Sequence, residues 1–377
     1  MTGSSIDPGF TTEAMARIWS NAGRVTAMIR VEASLARAQA VCGVIEDAVA
    51  AEIGRVCSAF SVDADAVLGE GWEVGTPVGV LVDRLRATVD PATARAIHLG
   101  ATSQDIVDTA AVVLIDESLG ELADGLVGVG DELASRAETH RRTLTIGRTF
   151  RQHAVPTTFG MRCAQWLVSV SADLERVRTT RSRLPVQLGG PAGTGVGLGP
   201  DPSAVVEAFA SELALVVPTL PWHADRTPIS LAIEAARSVA VTSGKVASDL
   251  VDLAQTEVAE VAVRSGRSSA MAGKRNPIDA IRTLAAEQVC TALTAAGRPH
   301  SLDRAAGPWH AEWFFVPMVF QTAGAALEAV SRALTSLTVD TETMAGRVAD
   351  HVDAETVVEA TGVLVDRART RWEEVRG

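Results

Sequence analysis

Tyrosine is absent from this 377-residue chain, and lysine nearly so: among 34 basic residues only Lys245 and Lys274 are lysines. Aromatic residues are scarce, with eight Phe and seven Trp. The core must therefore be built from Ala, Val and Leu, small aliphatic groups that suit close helix–helix packing. Basic residues are outnumbered by acidic ones, for a net charge of −12. That balance excludes a general nucleic-acid partner, since phosphate binding needs a basic face. Any anionic ligand would have to be held by a local cluster of cations. The four cysteines, Cys42, Cys57, Cys163 and Cys290, lack metal-ligand or redox spacing and read as buried free thiols. The N-terminus has no basic-then-apolar signal pattern, and no apolar run reads as long enough for a membrane span. A soluble cytoplasmic protein is the expectation.

What is abundant is helical periodicity. Met28, Val31, Leu35, Ala38 and Cys42 recur at three- and four-residue steps within 24–45, with Gly43 as a stop. Similar patterns predict helices over 47–67, 78–89, 105–129, 131–143, 156–181, 230–258, 277–296, 313–337 and 354–375, with Gly130 interrupting the fourth and fifth. The segment 230–258 has no proline and would extend roughly 45 Å at 1.5 Å per residue. Residues 69–77 and the Gly/Pro-rich 188–202 read as loops, and almost nothing reads as strand. The fold class predicted is all-α: an elongated central long-helix bundle with small flanking helical domains. Its parts are an N-terminal helical domain over 1–100, a central bundle over 101–340 and a reduced C-terminal helical tail over 341–377.

Polar loops punctuate these helices. His98 to Asp105 runs into a helix start, where Thr102, Ser103 and Asp105 form an N-cap cluster or an anion site. Gly147 to Gly160 sets Arg148, Arg151, Gln152 and His153 before another helix. Residues 265–277, Ser-Gly-Arg-Ser-Ser-Ala-Met-Ala-Gly-Lys-Arg-Asn-Pro, place Lys274 in a Ser/Gly loop. A composition that writes arginine almost everywhere yet keeps lysine here points to a position that needs a compact ammonium. Lys245, inside a long helix, reads instead as solvated or bundle-facing. A fourth loop, Asp303 to Trp313, surrounds His310 and Glu312 with tryptophans, either for packing or for chemistry. Pro221 to Arg226 reads as structural.

In this order the loops resemble the aspartase/fumarase superfamily. Its signature Gly-Ser-Ser-x-Met-Pro-x-Lys-x-Asn-Pro is matched at Ser268, Ser269, Met271, Lys274, Asn276 and Pro277. The Thr-Ser-x-Asp element is matched at Thr102, Ser103 and Asp105, and the Gly-Arg-Thr element at Gly147, Arg148 and Thr149. Within the superfamily the chain is most similar to the bacterial 3-carboxy-cis,cis-muconate cycloisomerases. The cues are Gln-His-Ala-x-Pro-x-Thr-Phe-Gly at 152–160, Val-Gln-Leu-Gly-Gly at 186–190, Pro-Trp-His at 221–223 and Trp-His-Ala-Glu-Trp at 309–313. The departures carry information too. Phe150 stands where many members have a catalytic His, and Ile281 where fumarase-like members have its Glu partner. Arg267, Ala272 and Gly273 also differ from the usual pattern.

The resemblance implies reversible anti addition and elimination beside a carboxylate, on a small polycarboxylate and without a cofactor or metal. It implies Ser268 as base, Lys274 and Asn276 on the reacting carboxylate, and Thr102 and Ser103 on a second one. Arg148, Gln187 and Arg304 would line the rest, with Ser269 and Met271 in the same loop. For the acid it leaves His153 and His98 (also counted among the substrate-binding groups) as candidates, with His310 third. It further implies a homotetramer with active sites shared between subunits. Two other readings stay open: a carbon–nitrogen lyase releasing fumarate from an N-substituted succinate, of nitrosuccinate- or adenylosuccinate-lyase type, and a non-catalytic crystallin-like scaffold.

Overall fold

Long helices need apolar stripes, and the stripes here join into one core that runs from Met15 to Trp372. The computed structural model describes residues 6–263, 271, 274–294, 300, 302–303, 307–348 and 353–377. The first part of the chain is a set of shorter helices: α1 (Glu13–Ile18), α2 (Asn21–Val41), α3 (Asp47–Ala59), α4 (Ala64–Val74), α5 (Pro77–Arg86) and α6 (Pro91–Ala96). Most start on a capping side chain, as Ser20, Asp63, Thr76 and Asp90 do for α2, α4, α5 and α6. The 37-residue α7 (Ser103–Thr139) follows. A hairpin, β1 (Leu144–Thr149) and β2 (Gln152–Thr158), leads into α8 (Phe159–Arg181). Then come α9 (Pro202–Leu213), α10 (Thr227–Leu253), β3 (Val261–Ala262), α11 (Ile278–Thr294), α12 (Pro308–Thr335), β4 (Thr338–Val339), α13 (Thr341–Gly346) and α14 (Ala354–Arg376). β3 pairs antiparallel with β4.

Side-chain bonds fix the helix directions. Asp108, near the start of α7, accepts from Arg226 just before α10 and from Trp309 at the start of α12. At the other end Arg136 of α7 donates to the carbonyls of Leu334 and Leu337. So α7, α10 and α12 run parallel. Helices α8 and α11 run back between them: Arg181, closing α8, pairs with Asp116, and Asp279, opening α11, pairs with Arg332. The five form a bundle with a near end, at the start of α7, and a far end, at its finish. At 1.5 Å per residue, α7 alone sets these ends about 55 Å apart.

The structure departs from the sequence reading in several places. Gly130 does not interrupt α7. It is where the Trp372 ring of α14 comes closest, and a Cβ there would sit 2.2 Å from the ring. Trp72 is helical, because α4 continues to a left-handed Gly75. Residues 144–158 form a hairpin, not a loop. Its two turn residues, Phe150 and Arg151, both take the positive φ that Gly or Asn usually supplies, so no turn signal marked it. Helix α9 begins at Pro202 on an Asp201 cap, directly after the Gly-rich segment, in a stretch to which the sequence reading assigned no helix. Helix α12 is apolar and long enough by composition to cross a membrane, yet 72% of that window is buried among other helices. It is the central core helix.

The Gly130 contact predicts that Gly130→Ala lowers the melting temperature. Alanine is the better helix former by about 1 kcal/mol, but overpacking against Trp372 costs about 1–3 kcal/mol. Calorimetry of the two proteins checks the sign.

Candidate active site

At the near end, one buried carboxylate organises four partners. Asp105 accepts from the amides of Thr102, Gly189 and Gly190, and its Oδ1 lies 2.8 Å from Nε2 of His223. This closes a capping box on α7 and pins the 188–202 segment over the helix start. Thr102 is buried and Ser103 is partly exposed at that same helix start. The first turn of α7, through its dipole and the amides outside the capping box, favours an anion there. His98 stands beside it with φ 63°, its Nδ1 2.7 Å from buried Glu32. Burial pulls the His98 pKa down, but the hydrogen bond and charge of Glu32 outweigh it, and the net shift is upward.

Behind this cap lies a charge cluster. Arg226 donates to both oxygens of Asp108, at 2.7 and 3.0 Å, and to both of Glu312, at 2.5 to 3.2 Å. Its ring neighbour is Trp222, 4.9 Å from the guanidinium carbon. Burial lowers the Arg226 pKa, and the two carboxylates more than reverse that. His300 lies 3.1 Å from Glu312. The Pro221–Arg226 segment is therefore structural, as its sequence suggests.

The far end holds the 144–158 hairpin and the start of α11. Arg148 is bidentate on Glu260, at 2.6 and 2.9 Å, and Arg347 adds a third bond at 2.8 Å. Burial pushes the Glu260 carboxyl up, but the two arginines outweigh it and hold it below its ordinary range. His153 pairs with Arg148 across the hairpin and is exposed, and Phe150 at the tip is fully exposed. A cavity of about 510 Å³ lies under the hairpin, lined by Arg148, Arg151, Arg162, Lys245 and Asp249 among others. Lys245 pairs with Asp249 one helical turn on, a surface ion pair. Lys274 is exposed and Asn276 partly so, immediately before α11.

The expected site residues thus fall into two groups. His98, Thr102 and Ser103 share the near end with Gln187; Arg148, His153, Lys274 and Asn276 share the far end. Met271 is described and exposed. Ser268, Ser269 and Arg304 lie outside the described residues, as do Arg267, Ala272 and Gly273. Two expected substrate-lining groups are engaged within the chain. Gln187 is fully buried, its Oε1 accepting from the Trp222 amide, and the Arg148 guanidinium is spent on Glu260. Sequence reasoning missed Glu260 and Asp108 as organisers. The signal was weak: each lies three residues after another acid, Asp105 or Glu257, and only burial, which spacing does not give, makes it a charge that must find a partner. Cys57, Cys163 and Cys290 are buried and free, and burial pushes their thiols up to about 11, about 12 and about 11. The thiolate form is disfavoured in all three at neutral pH.

Residues 9–291 match the family model described as "Lyase", and the chain belongs to that family, the aspartase/fumarase superfamily of enzymes. Nitrosuccinate lyase of Streptomyces davaonensis is 38% identical over 343 residues, which cover 86% of this chain and 72% of that protein. 3-Carboxy-cis,cis-muconate cycloisomerase of Bradyrhizobium diazoefficiens is 35% identical over 358 residues, 92% of this chain and 78% of that one. The crystal structure of 3-carboxy-cis,cis-muconate lactonizing enzyme from Pseudomonas putida superposes with a TM-score of 0.89 at 28% identity, covering 98% of both chains.

The far-end triad generates a pH prediction. A carboxyl held low in the fold contributes stability that is complete above the ordinary Glu value of about 4.3. That contribution is lost as pH falls through the lower, folded value. Glu260→Gln is expected to cost about 3–5 kcal/mol at neutral pH, since it leaves two arginines without their buried partner. It should also flatten the stability loss below about pH 4. Urea unfolding of both proteins at pH 7 and at pH 3 measures it.

Proposed function

We propose that the protein is a 3-carboxy-cis,cis-muconate cycloisomerase, closing and opening a lactone by anti addition and elimination beside a carboxylate. The observation that carries this reading is the pairing of what is kept with what is replaced. Thr102-Ser103 at a helix start and Lys274 and Asn276 ahead of α11 are present, whereas Phe150 occupies the hairpin tip where many relatives have a catalytic His. The likeness to cycloisomerases over most of the chain supports it.

In lactone closure, a substrate carboxylate oxygen bonds to one carbon of the double bond. The electron pair moves to the neighbouring carbon and into its carboxylate, and a proton is delivered to that carbon on the opposite face. The intermediate gathers negative charge, so donors aimed at it lower the barrier. Lys274 and Asn276 hold that carboxylate, and Thr102 and Ser103 hold a second on the α7 amides. Ser268 moves the carbon-bound proton, as base in ring opening and as donor in closure; a serine in this role needs an activated oxyanion. His153 is the acid at the departing oxygen in the elimination direction.

One chain sets its two groups of site residues at opposite ends of a 37-residue helix. A complete site therefore needs several chains, and we read the enzyme as a homotetramer whose sites are shared between subunits. The exposed Phe150, Val155 and His153 are the faces such an assembly would cover. The free thiols fit residence in the reducing cytoplasm.

A second reading, elimination of nitrite from nitrosuccinate, has the likeness to the Streptomyces enzyme in its favour. It uses the same carboxylate-stabilised intermediate. Ultraviolet absorbance separates the two: loss of the conjugated diene from 3-carboxymuconate supports the first, and fumarate appearing from nitrosuccinate supports the second. Activity on neither would favour a scaffold. Lys274→Arg is expected to lower kcat/KM at least about 100-fold, because a guanidinium does not reproduce a point charge. Equal activity would remove the lysine from the site. Light scattering at micromolar concentration should give four chains; a monomer would overturn the assembly.

A further inference from the structure

One cavity is lined by none of the groups that the proposed function places on the reacting substrate. It measures about 830 Å³ and lies between the start of α2, helix α4 and the first turns of α12. Trp19, Trp72, Trp313, Phe314 and Met318 form its walls, and Arg24 is the one charged residue among the described residues that line it. The aromatic groups are mutually packed: Trp72 meets Trp313 edge-on at 6.4 Å, and His310 lies 4.7 Å from Trp313. Trp72 and Phe314 are 63% and 60% exposed, so the rim opens to solvent.

Two donors in this cavity have no acceptor. The Arg24 guanidinium makes no hydrogen bond or ion pair with any described residue, although burial desolvates it and lowers its pKa. The indole Nε1 of Trp313 is buried and equally unpartnered. Both residues also line a small inner extension of the cavity, about 50 Å³, that reaches toward Asp108 and Glu312. The other polar groups there are satisfied. Asn21 donates to Asp65, Gln321 accepts from Thr11 and donates to the Pro317 carbonyl, and His310 is 3.0 Å from the Gly75 carbonyl. The acids nearest by, Asp108 and Glu312, are both engaged by Arg226. A desolvated guanidinium without a counterion is costly, and a buried N–H without an acceptor adds to that cost. An aromatic-walled cavity in which only donors are left over is complementary to an acceptor carried on a flat apolar body.

We propose that this cavity binds a small planar organic monoanion, an aromatic or conjugated carboxylate. Its carboxylate is held by Arg24 and the Trp313 indole N–H, and its flat body lies against Trp72 and Phe314. One cation sets the charge: a polyphosphate or a polycarboxylate would bring more negative charge than Arg24 can meet. Pocket and anion are matched independently of the lactonisation reading, since none of Thr102, Ser103, Arg148 or Lys274 lines the cavity.

Benzoate is the probe, benzamide its neutral counterpart, and inorganic phosphate the non-aromatic anion. The purified full-length protein is titrated while tryptophan fluorescence is followed. Benzoate should saturate, with affinity at least tenfold above benzamide, and phosphate should not displace it. Arg24→Met should weaken benzoate at least tenfold and leave benzamide unchanged. Without ligand, Arg24→Met should melt at the same temperature as the parent or higher, because it removes an unpaired charge. A lower melting temperature would assign Arg24 to packing alone and overturn the proposal, as would equal binding of benzoate and benzamide or competition by phosphate. Trp72→Ala, at an exposed position, keeps the fold out of the question. It should weaken both aromatic probes, and unchanged benzoate affinity would remove the stacking wall.

Discussion

A single guanidinium, Arg226, is shared between Asp108 of α7 and Glu312 of α12, and the near end of the bundle depends on it. Three parallel helices start at this point, and each brings a charged group there that could not be buried alone. Sharing the arginine between two carboxylates leaves one net negative charge, which Trp309, Gln104 and His300 help to satisfy through further contacts. Buried ion clusters of this kind add little net stability compared with apolar packing, but a broken one is severely destabilising. The cluster ties the three helix starts to one another at a shared point. The far end repeats the device with opposite sign, Glu260 held between Arg148 and Arg347.

With both ends pinned, the start of α7 and the hairpin are held at fixed places on the bundle. The α7 start is fixed by Asp105, which ties the cap to Gly189, Gly190 and His223. The hairpin is fixed by Arg148. Precision in such a site comes from these second contacts more than from the reacting groups themselves. It explains why two residues expected to face a substrate, Gln187 and Arg148, are turned to holding the frame.

Much of the architecture was legible in the sequence, because helical periodicity over twenty or more residues is a strong signal. The long helices α2, α8, α10, α11, α12 and α14 all stand within a few residues of where apolar spacing puts them. What stayed hidden had physical reasons. The hairpin turns on Phe150 and Arg151 in a left-handed conformation that no residue type there announces. Helix α7 continues through Gly130, which is packed against a tryptophan 242 positions away in the chain. For the site, residue types and order were legible in the loops, but their division between two ends of a long helix was not, since spacing along a chain carries no direction in space.

The buried thiols have a use apart from chemistry. Cys57 sits in α3 of the N-terminal helices, Cys163 in α8 and Cys290 in α11, so three regions of the molecule each carry one native, silent reporter. With their thiolates suppressed by burial, they react with a disulfide reagent only when their own surroundings open. The order in which they become reactive under mild denaturant would trace which layer separates first, a map of local opening that requires no introduced label.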